Sequence, residues 1–399
     1  MIRPVAAIVC LLSLTGCLRA AMQVHNGGAP VVPVAGARDA ERTSGLKSVD
    51  IGTLGGRWSR ADGINQLGTV VGSSATSSGM EHAFVWQTGG MTDLGPIAGN
   101  FSRALYINSA GVIVGEYGSG TPPDELKSCN AVMWVRGKPH TMGGLPNGLQ
   151  VPEGINDRGD VIGMTLAGVA GIRGWISLDD HVTEIGLAGG DSEPRAINNR
   201  GQVVGLSYDI HKRTRAFLYS GGRSLDLRTL GGEASAARGI NSAGVVVGWS
   251  QTAAGSWHAF LWTQGKMRDL GTLGGPDSEA VYINDSGLVV GDSTTASGRT
   301  HACVWRDGKI HDLGLSTEEK SEAVFANHAG EVVGSSTTQG GRSHPFAWKN
   351  GKRVDLPIGI EASGWAFAVT DQGAILGGSL NADGHHRGTV WVPTEPPRP

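Results

Sequence analysis

The sequence predicts an all-β fold, an eight-bladed β-propeller with four-stranded blades, closed by an N-terminal strand that completes the last blade. Three observations predict it. A pattern of about 43 residues recurs through nearly everything after residue 48, the length of one propeller blade. Each copy holds four short apolar runs bounded by turn residues. The last copy lacks its fourth run, and a spare copy of that run stands ahead of the first.

The chain has 399 residues, 64 of them Gly, with 17% charged and 6% aromatic residues. Glycine at regular spacing points to tight turns, and the lack of a Gly-X-Y period excludes collagen. The net charge is -3 with both signs interspersed. There is no basic stripe, which argues against nucleic acid as a partner.

The first element is a leader, residues 1–16. Arg3 is its positive end and Val5 to Leu14 its apolar run, too short to span a membrane. Leu14-Thr15-Gly16-Cys17 resembles the lipobox of bacterial lipoproteins. That resemblance implies lipidation at Cys17 and, because Leu18 and not Asp follows, an outer-membrane address. The alternative is an ordinary signal peptide cleaved after Ala20 or Ala21. Residues 17–47 carry Pro, Gly and polar filler and form a flexible tether. The propeller is expected over 48–393 and a disordered tail over 394–399.

Within the array, the Asn of an Ile-Asn dipeptide acts as a ruler. It stands at Asn65, Asn108, Asn156, Asn198, Asn241, Asn284 and Asn327, with Thr370 in the eighth place, at steps of 43, 48, 42, 43, 43, 43 and 43. A Gly follows each three residues later, from Gly68 to Gly373. Asn-x-x-Gly suits a tight turn, because Asn caps its own backbone and Gly accepts positive φ. Flanking runs such as Ala280 to Ile283 and Leu288 to Val290 make this the first hairpin of a blade. The segment from His258 to Trp262, the turn at Gln264-Gly265 and the segment Lys266 to Leu270 make the second.

After the last Trp, Trp391, the chain reaches Pro393 with no further Asp-Leu-Gly strand. Val49-Asp50-Ile51-Gly52 supplies it from the other end. A blade split between the two ends closes a ring and leaves no sheet edge there. An open array would instead need polar caps, so a β-helix with two rungs per repeat is the weaker alternative.

His82-Ala83-Phe84-Val85-Trp86, His258-Ala259-Phe260-Leu261-Trp262 and His344-Pro345-Phe346-Ala347-Trp348 resemble the HAF repeat. The linked Asp-Leu-Gly-Thr-Leu-Gly-Gly and Ile-Asn-x-x-Gly elements match it too, over about residues 48–393. The resemblance implies a secreted or surface bacterial protein and an architecture, not a reaction. Arg173, Arg215 and Arg387 depart from it at the His position.

Cys10 and Cys17 fall in the leader and at the lipid site. Cys129 and Cys303 lie four repeats apart, on opposite sides of a closed ring and beyond the roughly 6 Å that a disulfide spans. Two free thiols follow. The recurring His82, His258, His301 and His344 are expected to bond within their own blades and not to ligate a metal, since Arg replaces them elsewhere and Arg is no ligand. The recurring Trp is expected to pack between blades. No cofactor is implied.

The sequence holds no nucleophile elbow, zinc helix or phosphate loop. Glu193, Glu279 and Glu322 recur at one strand position and would approach the central channel, where a carboxylate pair could support glycosidase or lyase chemistry. Residues that break the repeat near the blade connections are better candidates: Trp58, Arg60, Phe101, Arg103 and Trp365, together with Trp249, Trp257 and a longer loop from Ser119 to Ser128. The first five lie on consecutive connections around the ring and are expected to form one exposed aromatic patch. The function expected is a non-enzymatic, lipid-anchored monomer in the bacterial outer membrane or outside the cell, binding a glycan, peptide or protein. A polysaccharide hydrolase or lyase, or a purely structural surface protein, are the alternatives.

Overall fold

The computed structural model describes residues 45–394, apart from 122–124, 169–170, 180, 189, 210, 315–317, 339, 359–362 and 382. The expected leader, Cys17, nearly all of the tether and most of the tail lie outside the described residues.

Eight four-stranded antiparallel blades follow one another along the chain, and single parallel pairings, Glu81 with Phe101 and Thr300 with Lys320, join blades 1 and 2 and blades 6 and 7. Blades 1 to 7 span residues 55–93, 101–141, 149–184, 192–226, 231–269, 274–312 and 318–355. Blade 8 takes three strands from residues 364–393 and its outer strand, Leu46–Asp50, from the other end of the chain. Leu46 pairs with Pro393 and Asp50 with Thr389. The ring is therefore closed by the strand expected to close it. It begins at Leu46, inside the stretch expected to be tether.

Each inner strand enters the Asn-x-x-Gly turn that the ruler marks. Asn65 shows the pattern: its Oδ1 accepts the amides of Leu67 and Thr69 at 3.1 Å, and Gly68 takes φ 78°. The same side chain also reaches out of its blade. Asn65 Nδ2 donates to the carbonyl of Asn108 at 3.3 Å, Asn108 to Asn156 at 3.1 Å, and Asn156 to Asn198 at 3.0 Å. The series continues through Asn241, Asn284 and Asn327 to the carbonyl of Thr370. Thr370 has no amide to pass on. At that seam Gln66 Oε1 accepts the Asp371 amide at 2.9 Å. The sequence foretold the turn but not this ring of bonds.

A second polar rail runs on the other side of the blades. Ser102 Oγ accepts the Ala83 amide of the preceding blade at 3.0 Å. Ser192, Ser235, Ser278 and Ser321 repeat the contact, and Gln150 replaces the hydroxyl in blade 3. Across the closing seam Ser59 Oγ accepts the Gly388 amide at 3.2 Å, 329 residues away.

Apolar clusters fill the space between blades. Trp134 packs with Val71 and Ala83 of the blade before it, and Trp305 with Val247 and Ala259. Trp305 Nε1 donates to Leu270 O at 2.9 Å. The recurring Trp is thus a wedge between neighbours. Cys129 and Cys303 are buried thiols outside any disulfide, and Cys129 Sγ donates to Glu116 Oε2 at 3.3 Å. The expected loop from Ser119 to Ser128 is instead a lengthened hairpin, because the strands Ile113–Thr121 and Glu125–Val135 continue past the usual blade edge.

Each inner strand also carries a bulge three residues before the ruler position, as between Ala237 and Gly239 or Ala280 and Tyr282. The bulged residue leaves the ladder. Val324, at this place in blade 7, is 37% exposed although its strand is the innermost of the blade.

Replacing Asn241 by Ala removes its cap on the Val245 amide and its bond to the Asn284 carbonyl. The expected cost is roughly 1–3 kcal/mol, read from the urea midpoint at constant slope. An unchanged midpoint would show that the amide ring contributes nothing.

Candidate functional site

The two tight turns of each blade share one face. The opposite face carries the connections between blades and the turns before each His segment. At this connection face, the seam between blades 8 and 1 brings together residues from both ends of the array. Trp365, on the inner strand of blade 8, lies opposite Gly378, which in turn lies opposite Gly388. A Cβ on Gly378 would stand 2.6 Å from Trp365 Cζ2, so the indole rests flat on glycine backbone. His386 meets its edge, with ring centroids 5.3 Å apart. Arg60 of blade 1 joins Trp365, His386 and Arg387 around a shallow crevice of about 10 Å³, roughly the room one water needs. Asp62 holds Arg60 Nε at 2.7 Å. Burial, then the nearby Arg60 and His385, lower the His386 pKa. This favours the neutral ring at neutral pH. Trp58 is half-buried two residues upstream of Arg60, and its carbonyl accepts the Ser74 hydroxyl at 3.1 Å.

Phe101 and Arg103 do not belong to this surface. Phe101 is 1% exposed and packs with Cys129 and Leu149 between blades 2 and 3. Arg103 is buried as well, with Nε 2.7 Å from Glu81 and Nη1 3.1 Å from Glu116. Its guanidinium lies 5.4 Å from the Phe101 ring centroid. The expected continuous aromatic patch is therefore broken after blade 1. A hollow between blades takes the ring, and two glutamates take the cation out of solvent. Trp249 and Trp257 meet edge to face, with centroids 4.8 Å apart in blade 5.

A second group lies on the inner half of blades 5 to 7. Asp292 stands directly opposite Glu279 across the ladder. Arg238 of blade 5 reaches Glu279 at 2.7 Å, and Lys320 pairs with Glu322 of blade 7. Burial raises the Asp292 pKa to about 8, and the charges of Glu279 and Glu322 push the same way. Two carboxylates ion-paired to cations thus flank a third whose pKa is raised. The sequence marked Glu279 and Glu322 but missed Asp292. Four sister blades carry Ser73, Met164, Leu206 and Ser335 at the same place, and blade 2 carries Glu116, which is paired with Arg103. Glu193 is not part of the group; it is ion-paired to Arg195 of its own strand.

Three of the four recurring His residues face aspartate. Nδ1 of His82, His258 and His301 lies 2.9, 2.7 and 2.9 Å from Asp93, Asp269 and Asp312 of the adjacent outer strand. Arg215 makes the same contact to Asp226 at 3.0 Å, which explains how Arg replaces His in the repeat. Among the described residues no group of three or more His, Cys, Asp or Glu is placed to hold a metal ion.

No family model and no characterised protein matches the sequence. Solved structures match the fold. Dipeptidyl peptidase 4 of Porphyromonas gingivalis aligns with a TM-score of 0.51 at 10% identity, covering 91% of this chain and 62% of that one. The β-propeller domain of the trilobed protease of Pyrococcus furiosus gives 0.48 at 12% identity, covering 76% and 99%. The WD40 domain of SCAP from fission yeast gives 0.45 at 9% identity, covering 88% and 99%. The chain is similar to known propellers in fold alone. Propellers of this kind occur in peptidases and in other assemblies, so the likeness selects no activity.

The raised Asp292 pKa sets a sign for stability. The ordinary value is 3.8 and the folded value is about 8, so the folded chain binds the proton more tightly than the unfolded one. This contribution is fully present below the unfolded value and is lost as pH rises through the folded one. Urea melts of the wild type and Asp292→Asn should diverge between about pH 5 and about pH 9, with the variant gaining relative stability as pH rises. A difference that does not change with pH would refute the assignment.

Proposed function

We propose that this chain is a non-enzymatic binding propeller, lipid-anchored at Cys17 in the envelope or on the surface of a bacterial cell. Its ligand, a glycan, peptide or protein, is read at the seam between blades 8 and 1. The repeats are taken to be HAF repeats, on the register of the His-Ala-Phe and Ile-Asn-x-x-Gly elements. One observation carries the binding reading. Trp365 and Arg60, 305 residues apart and neither required by the blade, line one crevice with His386 and Arg387. An aromatic face beside two guanidinium groups suits a sugar ring or side chain stacked on the indole, with an acidic group held by the cations. Trp58 extends the same edge.

The alternative is hydrolysis of a polysaccharide, favoured by the carboxylates of blades 5 to 7. There a protonated Asp292 would donate to a leaving oxygen and Glu279 or Glu322 would serve as the second carboxylate of the pair. Arg238 and Lys320 already engage those two glutamates, which is why binding is preferred. The membrane assignment rests on the lipobox. No helix among the described residues is long and apolar enough to cross a membrane.

A glycan and peptide array probed with the purified protein should give a saturable ligand. Arg60→Ala should weaken its binding by about tenfold or more, roughly 1.4 kcal/mol, with a nearly unchanged melting temperature. Trp365→Ala should weaken binding and also lower stability, since the ring covers Gly378. Retained binding in Arg60→Ala would refute the seam as the site. Turnover of an array polysaccharide, lost in Asp292→Asn, would favour the hydrolase.

Lipidation has its own readout. Metabolic labelling with an alkyne fatty acid should mark the wild type and spare Cys17→Ser. Equal labelling of both would remove the anchor from the proposal.

A further inference from the structure

The seam between blades 7 and 8 departs from its sisters in three ways. The fourth residue of the His-Ala-Phe-Leu-Trp segment is Val, Met, Ile or Leu in every other blade, from Val85 in the first to Val390 in the last, but Ala347 in blade 7. In the outer strands, Met91, Met267 and Ile310 pack against neighbouring cores, whereas blade 8 has Ser48 at that place, a serine that only blade 4 shares, at Ser224. The serine-to-amide rail is also interrupted here, because Pro345 has no N–H to give and Gly364 no hydroxyl to accept it.

Of these three positions Ala347 lines a cavity of about 250 Å³ between the two sheets, at the tight-turn face. Val333, Ala347, Val354, Val369, Ile375 and Leu46 supply its apolar walls. Its solvent end carries Lys349, ion-paired to Glu331. Glu331 also accepts from Asn327 Nδ2 at 3.0 Å, so it keeps a partner when the lysine turns away. A dry apolar cavity of roughly 150 Å³ is already enough to take up benzene. Packed sheets lie about 10 Å apart, so the loss of one layer of side chains leaves a slot about one alkyl chain thick.

We propose that this slot is a binding site for a medium-length aliphatic carboxylate. The tail lies between Ala347 and Ile375, and the carboxylate meets Lys349. The site is separate from the seam of blades 8 and 1, and its ligand is independent of that reading.

Titration of the full-length protein with sodium decanoate tests it. The wild type should bind one equivalent with a negative heat-capacity change, the mark of apolar burial, and should melt higher with ligand. Ala347→Leu restores a sister residue and fills the slot. It should weaken binding by at least about tenfold while melting at or above the wild type without ligand. Ala347→Val, a smaller change, should fall between and guards against misfolding of the leucine variant. Lys349→Gln should weaken decanoate but not decanol. No saturable binding by the wild type, including the case where preceding residues of the chain already fill the slot, would overturn the proposal. So would equal affinity in the wild type and Ala347→Leu.

Discussion

One side-chain amide does two jobs in seven of the eight blades, and the ring depends on it. The oxygen of Asn284 caps its own turn through the Leu288 amide at 2.9 Å, while its nitrogen donates to Asn327 of the next blade at 2.8 Å. Apolar packing between blades is strong but non-directional. It holds two sheets together without fixing how far one slides on the other. A buried amide with both ends engaged is costly to displace, so it fixes the relative height of neighbouring blades. The serine rail fixes it a second time nearer the opposite face. Two polar rings at different heights set the tilt of each blade as well as its position.

This double duty explains why the architecture was legible in the sequence. The turn chemistry demands Asn and Gly at set places, and the ring demands them in every blade, so one constraint is written again and again along the chain. The closing strand was legible for a related reason, since a unit cut in two leaves a gap at one end and a surplus at the other. The site was less legible. Phe101 stands at a connection just as Trp58 does, yet a hollow bounded by Cys129 and Leu149 draws it inward. Arg103 is buried because Glu116 sits opposite it on the next strand. Such outcomes depend on what a neighbouring blade offers, and no single segment records that. Asp292 was not legible because the charges around it, Arg238, Glu279, Lys320 and Glu322, come from three blades.

Departures from the repeat fall into two kinds. Some come in compensating sets, as where Gln150 does the work of a serine or Arg215 that of a histidine. These preserve the blade and say little about purpose. Others remove something without replacing it. Gly378 gives up a side chain so that Trp365 can lie across it, and Ala347 leaves volume that larger residues fill elsewhere. A repeat array thus contains its own control, because each position can be compared with seven others that share its structural duties.

The closing strand has a mechanical consequence. Leu46 pairs with Pro393 at the tight-turn face, and the strand runs from there to Asp50 beside Thr389. Tension on the preceding chain, directed away from that face, acts along the strand's own axis. Five residue pairs then share the load in shear and must yield together. Tension directed sideways from the sheet would instead part the pairs one at a time. The closing strand is thus strongest against a pull directed out of the tight-turn face.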